Sequence, residues 1–322
     1  MLLSDSGTMT LPIHNVLPAL LTALTAGSNA VLVAPPGAGK TTTVAPALIT
    51  QDWCSGQVLL LSPRRLAARA AAERMAEMMG EEVGGTIGYA TRLDSRQSAR
   101  TRILVLTEGI FRNRIQQDPE LAGVSAVLFD EVHERSLDSD FGLALALDVQ
   151  EGFRPDLRLL AMSATLDGAR FAALMQGAPV IESAGKSWPL ELRHIGRRGE
   201  RRIEEDMAAA IIRALAEEAE GDLLAFLPGV AEIERTAERL VSLSPAIVLH
   251  KLHGSLDPAE QRRAIRRDEA GRRKVILATS IAETSLTIDG VRIVVDSGLA
   301  RRPRYDRAAG VSRLVTERAS QA

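Results

Sequence analysis

Ala30-Val31-Leu32-Val33-Ala34-Pro35-Pro36-Gly37-Ala38-Gly39-Lys40-Thr41 decides how this chain is read. An apolar run, a glycine-rich turn and a segment able to be helical follow one another there, which is the context a phosphate-binding loop requires. Gly37 and Gly39, with Pro36 and Ala38 beside them, let backbone N–H groups close around phosphates, and the helix N-terminus adds positive potential. Lys40 can then reach β- and γ-phosphates, the Thr41 hydroxyl can ligate Mg²⁺, and Thr42 carries the loop into the helix. Further on, Asp130-Glu131-Val132-His133 ends a second apolar run, Ala126-Val127-Leu128-Phe129, so both carboxylates sit at the C-terminal edge of a strand. Asp130 is expected to hold the metal through its water shell, and Glu131, in the same metal environment, to orient and deprotonate the attacking water. In this order and context, the two strings predict binding and hydrolysis of a nucleoside triphosphate.

Composition bounds that reading. The 322 residues suit two domains of ~150 residues, each with its own core. A net charge of −2 means that any nucleic-acid binding must come from local basic patches. Only 3% of residues are aromatic, which argues against base-stacking platforms. The single cysteine, Cys54, excludes an internal disulfide and a multi-cysteine zinc site. His14, His194, His250 and His253 lack zinc-ligand spacing and are read as structural. No apolar run approaches the length of a membrane span, and the N-terminus lacks a basic segment leading into an apolar one. A soluble, cytoplasmic chain without a membrane partner is expected.

The chain organises as two α/β halves. Residues 13–26 carry apolar side chains at helical spacing. Strands are predicted at 30–34, 58–62, 103–106, 124–130 and 157–162, with helices near 40–50, 66–79, 109–117 and 139–149 between them. Residues 180–182 can add a last strand. Such alternation means a parallel sheet covered by helices on both faces. Residues 183–202 mix Gly and Pro with the run Arg197-Arg198-Gly199-Glu200-Arg201-Arg202, most simply a solvated stretch between domains. The expected layout is a domain at 1–184, a linker at 185–200 and a second domain at 201–322. In that second half, helices are predicted at 203–218, 230–240 and 258–267, and strands at 222–227, 246–250, 274–278 and 292–296. Residues 299–305 and 311–317 flank a glycine-containing loop and read as a β-hairpin.

Ser163-Ala164-Thr165 follows the strand at 157–162 and so shares a sheet edge with Asp130. In the second half, Ala278-Thr279-Ser280-Ile281-Ala282-Glu283-Thr284-Ser285-Leu286-Thr287-Ile288-Asp289-Gly290 resembles motif V of the DEAH-box group of superfamily 2 helicases. The other motifs of that group then fall into order. They are motif I at 34–41, Ia at Ser62-Pro63-Arg64-Arg65-Leu66-Ala67-Ala68-Arg69 and Ib at Thr107-Glu108-Gly109. Motif II follows at 130–133, III at 163–165 and IV at Leu224-Ala225-Phe226-Leu227-Pro228-Gly229. Asp130-Glu131-Val132-His133-Glu134-Arg135-Ser136-Leu137 and Gln117-Asp118-Pro119-Glu120-Leu121 are similar to the bacterial HrpB-type branch. The resemblance runs from about residue 15 to the end of the sequence.

That resemblance implies two tandem RecA-like parallel-sheet domains, the second carrying the hairpin. ATP with Mg²⁺ would lie in the cleft and single-stranded RNA or DNA across the top, with 3′→5′ movement. It also implies that Arg64, Arg65, Arg92 and Thr107 contact the nucleic-acid backbone, with Thr279 and Thr284 from the second domain. A solvated helix start is the lesser alternative for Arg64 and Arg65, and a helix N-cap a role that Thr107 can combine with its contact. Arg74 would stack on the adenine opposite Ile265, and Asp289 would join the nucleotide site. Catalysis would rest on Lys40, Asp130, Glu131 and His133, and His133, Ser163 and Thr165 would couple the nucleotide site to motion.

The family's motif VI, Gln-Arg-x-Gly-Arg-x-Gly-Arg, is expected beyond the hairpin, and the sequence stops at Ser320-Gln321-Ala322 before it. Comparable arginine fingers are worth about 10³–10⁵ in rate. A fragment with impaired turnover is therefore expected, unless Arg301, Arg302 or Arg304 substitutes. Two function classes stay open: an ATP-dependent helicase or translocase, and a nucleotide-gated module that binds nucleic acid or a partner without productive hydrolysis. Glu131 favours the first for a longer protein, and the missing arginine motif favours the second for this chain.

Overall fold

The computed structural model describes residues 11–165, 168–184, 189–196, 201–283, 288–307 and 309–319. The chain divides into two compact units, Met1–Pro189 and Leu190–Ala322. In the first, a 3₁₀ turn at Pro12–Asn15 precedes α1 (Leu17–Ala26), so the helix predicted over 13–26 is split. Pro18 is the reason: it has no N–H, and its ring excludes the carbonyl of a preceding helical turn. There follow β1 (Asn29–Val33), α2 (Lys40–Leu48), β2 (Gln57–Ser62), α3 (Arg65–Met78), β3 (Ile87–Ala90), β4 (Ser95–Arg96) and β5 (Ile103–Thr107). Next come α4 (Glu108–Gln117), β6 (Val124–Phe129), α5 (Leu137–Gly152), β7 (Arg158–Ser163), α6 (Gly168–Leu174) and β8 (Val180–Glu182).

The eight strands form one sheet in the order β4-β3-β5-β2-β6-β7-β1-β8, parallel except for β4. Strands β1 and β6 are buried along their whole length, as apolar strands covered on both faces must be. On one face Ile13, Leu20, Leu24, Val44, Leu48, Ala72 and Met75 build a core beneath α1, α2 and α3. On the other, Phe111, Leu143, Ala146 and Phe171 pack from α4, α5 and α6, and Phe111 meets Phe129 edge to face at 5.8 Å between ring centres. Each such buried Leu or Phe contributes about 1.5–3 kcal/mol, so the sheet is clamped from both sides. The parallel strands all deliver their following loops to one edge, where open α/β sheets bind ligands.

Strand β3 and helix α6 are not anticipated by the pattern of apolar residues. Gly88 interrupts β3, yet a Cβ there would lie 2.7 Å from the Arg96 carbonyl oxygen. The glycine that lets β4 approach thus also erases the apolar signal. Gly168 opens α6 where a Cβ would meet Val33 Cγ2 at 2.8 Å and Val180 Cγ1 at 2.9 Å.

The second unit comprises α7 (Ile203–Glu217), β9 (Asp222–Phe226), α8 (Val230–Arg239), β10 (Ile247–Leu252), α9 (Pro258–Ile265), β11 (Arg273–Ala278) and β12 (Val291–Asp296). Its parallel sheet has the order β10-β11-β9-β12. Met207, Ile211, Ile233, Leu240 and Val275 form the core under α7 and α8. Asp257 caps α9 by accepting from the Ala259 N–H at 2.7 Å. At the other end of α9 the fully buried Lys274 ammonium donates to the carbonyls of Ala264 (3.1 Å) and Arg266 (2.7 Å). A cation there complements the negative end of the helix dipole. The antiparallel hairpin β13 (Leu299–Asp306) and β14 (Val311–Arg318) pairs Leu299 with Arg318 and Asp306 with Val311. Among the described residues no helix is long and apolar enough to cross a membrane.

Candidate functional site

Gly37 and Gly39 adopt φ of 77° and 91°, a left-handed region that glycine enters freely. Beneath Gly39 a Cβ would lie 2.6 Å from Leu11 Cδ1 and 3.4 Å from Ile13 Cγ2, while the Ile13 N–H donates to the Ala38 carbonyl at 3.2 Å. Residues 11–13 therefore floor the loop. Pro36 and Gly37 are exposed, Ala38 is buried, and Thr42 lies half-buried in the first turn of α2.

Register brings the acidic string to this loop. Val33 lies opposite Ser163 and Phe129 opposite Ala161, so the ends of β1, β7 and β6 are neighbours. The Lys40 side chain, 5% exposed, donates to Glu131 Oε2 at 3.1 Å. The Thr41 hydroxyl donates to Asp130 Oδ2 at 2.6 Å, and the Glu131 N–H donates to Asp130 Oδ1 at 2.9 Å. Burial, and next the charge of Glu131, push Asp130 up to about 6, against the pull of Lys40 and Thr41. Two carboxylates share one ammonium here, so the cluster is short of positive charge, which suits it to a cation. Its hard oxygen donors, a hydroxyl and a carboxylate, are of the kind Mg²⁺ takes.

The loop from β6 to α5 is held at almost every residue. Glu131 and Arg135 lie in the left-handed region at φ of 54° and 52°, an uncommon conformation costing on the order of 1 kcal/mol or more each. The Ala164 N–H donates to His133 Nδ1 at 3.2 Å. The same nitrogen is 3.4 Å from Glu131 Oε2. Ser163 Oγ accepts from the Thr165 N–H at 3.2 Å and donates to the Thr165 carbonyl at 3.1 Å. Glu134 lies 3.8 Å from Arg64. Arg135 makes a two-pronged pair with Asp140 and stacks over Phe171 at 5.8 Å. Ser136 caps α5 by accepting from the Ser139 N–H at 3.0 Å.

The other half of the edge, at β2, β5 and β3, carries the basic candidates. Arg64 is the N-cap residue of α3 without a side-chain capping bond, and Arg65 is exposed in its first turn. Thr107 occupies the N-cap position of α4 but its side chain makes no capping bond. The capping role considered for it is thus backbone only. Arg92 is exposed in a turn that Thr91 closes by donating N–H and Oγ1–H to the Asp94 carbonyl. The Asp94 carboxylate in turn takes Tyr89 Oη at 2.6 Å and Arg69 at 2.5 Å.

Other candidates lie elsewhere in the chain. Arg74 is exposed on α3 and pairs with Glu77 at 3.1 Å, one turn on. Thr279, half-buried at the end of β11, Ile265 and Asp289 belong to the second unit. Thr284 lies outside the described residues. Arg301 pairs with Glu232 at 3.1 Å and Arg304 with Glu317 at 2.8 Å. Glu108, Glu134 and Ser136 stand within the motif strings, but the sequence assigns them no individual role. For Ser136 the available signal was a helix cap ahead of Asp138 and Asp140.

A glycine-rich loop flooring on a parallel sheet and facing two strand-end acids defines the RecA-like class of α/β domains. The description of the DEAD/DEAH box helicase domain matches residues 15–173, and that of the helicase conserved C-terminal domain matches residues 206–313. The chain is 48% identical over 313 residues to the ATP-dependent RNA helicase HrpB of Escherichia coli, covering 97% of this chain and 39% of that protein. It is 33% identical to the pre-mRNA-splicing factor ATP-dependent RNA helicase prp22 of Schizosaccharomyces pombe, over 97% of this chain and 27% of that one. The crystal structure of Escherichia coli DEAH/RHA helicase HrpB superposes with a TM-score of 0.90 at 47% identity, over 97% of this chain and 40% of that chain. The chain belongs to the DEAD/DEAH box helicase family. It spans well under half the length of these relatives.

Proposed function

We propose that this chain is the nucleotide-binding core of an ATP-dependent RNA helicase, organised as a domain at 1–184, a linker at 185–200 and a domain at 201–322. The observation that carries this is the cluster in which Lys40 meets Glu131 and Thr41 meets Asp130. Lys40 would leave Glu131 for the β- and γ-phosphate oxygens, a charge-assisted exchange. Gly37 to Thr42 would cradle the phosphates with backbone N–H groups. Thr41 and Asp130 would hold Mg²⁺, which when bound supplies charge neutralisation for the phosphates. Among the described residues no group of three or more His, Cys, Asp or Glu could hold a metal. That suits an ion delivered with phosphates and held by one or two protein oxygens.

Freed from Lys40, Glu131 would orient a water and take its proton. His133, bonded to the Ala164 N–H, would relate that event to the Ser163–Thr165 turn. Arg64, Arg65, Arg92, Thr107 and Thr279 would grip the strand backbone; RNA rather than DNA is favoured by what the relatives are named for. Arg74 and Asp289 would complete the nucleotide site. The arginines of motif VI are not among these 322 residues, and Arg301 and Arg304 are engaged in ion pairs, so the chain by itself would turn ATP over slowly. Calorimetric titration with ATP, with and without Mg²⁺, and steady-state ATPase assays with single-stranded RNA or DNA test the reading. Mg²⁺-dependent ATP binding with weak RNA-stimulated turnover is expected. Absence of ATP binding overturns it.

A further inference from the structure

Glu108 follows Thr107 directly and opens α4, where a carboxylate faces the positive end of the helix dipole. It is nevertheless only 8% exposed. Its Oε2 accepts from the Ser136 hydroxyl at 2.5 Å, across 28 positions of sequence. Ser136 in turn is fixed by capping α5. Burial pushes the Glu108 carboxyl up, while hydrogen bonds from Ser136 and Ser139 pull it back. A buried charged group is costly unless it is bonded, so this contact is a firm one. It is also placed at a junction. The loop that begins with Asp130 and Glu131 ends at Ser136, and the strand that ends at Thr107 begins its helix at Glu108. One hydrogen bond therefore joins the last residue of the acidic loop to the residue beside a candidate nucleic-acid contact.

The geometry points to Glu108 as a positioning residue: through Ser136 it ties the placement of Thr107 to the state of the acidic loop, so that what the nucleotide site holds alters the grip on single-stranded nucleic acid. The inference rests on the helicase reading above. It assigns Glu108 no contact with nucleotide or nucleic acid. A displacement of the Asp130–Glu131 end, whose backbone sits in strained left-handed geometry at Glu131 and Arg135, is transmitted to Ser136 by a short loop anchored at its far end on α5. Packed loops of this kind switch between discrete arrangements rather than deform smoothly.

The test measures the affinity of the 322-residue chain for a fluorescent oligouridylate in the presence of adenylyl imidodiphosphate and of ADP. In the wild type the two affinities differ by about 5-fold or more, the lower end of ordinary coupling between sites. In Glu108→Ala and in Ser136→Gly the ratio falls to within about 2-fold of unity, while affinity for the ATP analogue stays unchanged. Ser136→Gly separates the link from helix capping, since glycine at an N-cap costs only a few tenths of a kcal/mol. It also keeps the inference open to refutation if Glu108→Ala fails to fold. Glu108→Gln and Ser136→Thr, which retain an acceptor and a hydroxyl, restore the ratio. A wild-type ratio in either Glu108→Ala or Ser136→Gly overturns this inference alone. A wild type that binds the ATP analogue but has equal affinities in both states also overturns this inference alone, whereas a wild type that binds no ATP analogue overturns the helicase reading on which it rests.

Discussion

The two halves of the first sheet's carboxyl edge are built differently. At β1, β7 and β6 the candidate residues hold one another: Lys40 pairs with Glu131, Thr41 with Asp130, and His133 takes the Ala164 N–H. At β2, β5 and β3 Arg65 and Arg92 are exposed and Thr107 makes no capping bond, while Arg64 lies 3.8 Å from Glu134 of the acidic loop. On the function proposed above, the difference follows from what each half would meet. Chemistry on a phosphate needs several groups within hydrogen-bond reach of one point, so they preassemble. A grip on a strand backbone needs correct spacing along a surface, so its residues need not touch one another.

That contrast predicts which substitutions are severe. Glu131→Gln should slow single-turnover hydrolysis by about 10²–10⁴-fold while leaving Mg²⁺-dependent ATP affinity intact, because an amide keeps shape but takes no proton. Survival of the rate within a few-fold would remove Glu131 from the role of base. Lys40→Ala should weaken ATP binding by roughly 10- to 150-fold, the value of a charged hydrogen-bonding partner at about 1.5–3 kcal/mol. Calorimetry reads this directly, and an unchanged affinity would dissolve the preassembled half. Arg64→Ala should be the mildest. Single-stranded RNA affinity should fall a few-fold, the slope of log affinity against log salt should shrink by about 1, and ATP affinity should hold. If Arg64→Ala instead costs as much ATP affinity as Lys40→Ala, the edge is one site and the division fails.

The same contrast explains what could be read from sequence. The glycine-rich loop and the strand-end acids were legible as local features because each requires one residue type at one place beside an apolar strand, and strands at 103–107, 124–129 and 180–182 stand where the pattern puts them. Strand β3 was hidden because Gly88 makes room for the Arg96 carbonyl and so breaks the run it belongs to. The start of α5 was set two residues late, since Ser136 and not Asp138 ends the loop. The bond from Ser136 to Glu108 has no local trace at all. It joins the ends of two strands that only the sheet brings together, and no spacing rule along the chain encodes it.

Leu11 and Ile13 support Gly39 from below, and the Ile13 amide is bonded to Ala38. A protein engineer trimming this domain to begin at α1 would keep every parallel strand and both signature strings. The trimmed loop would nonetheless have lost its foundation, and each round of ligand capture would have to freeze backbone freedom that the longer chain has already surrendered. The defect would register as a larger entropic penalty on nucleotide binding, in a protein whose reactive groups were all still present.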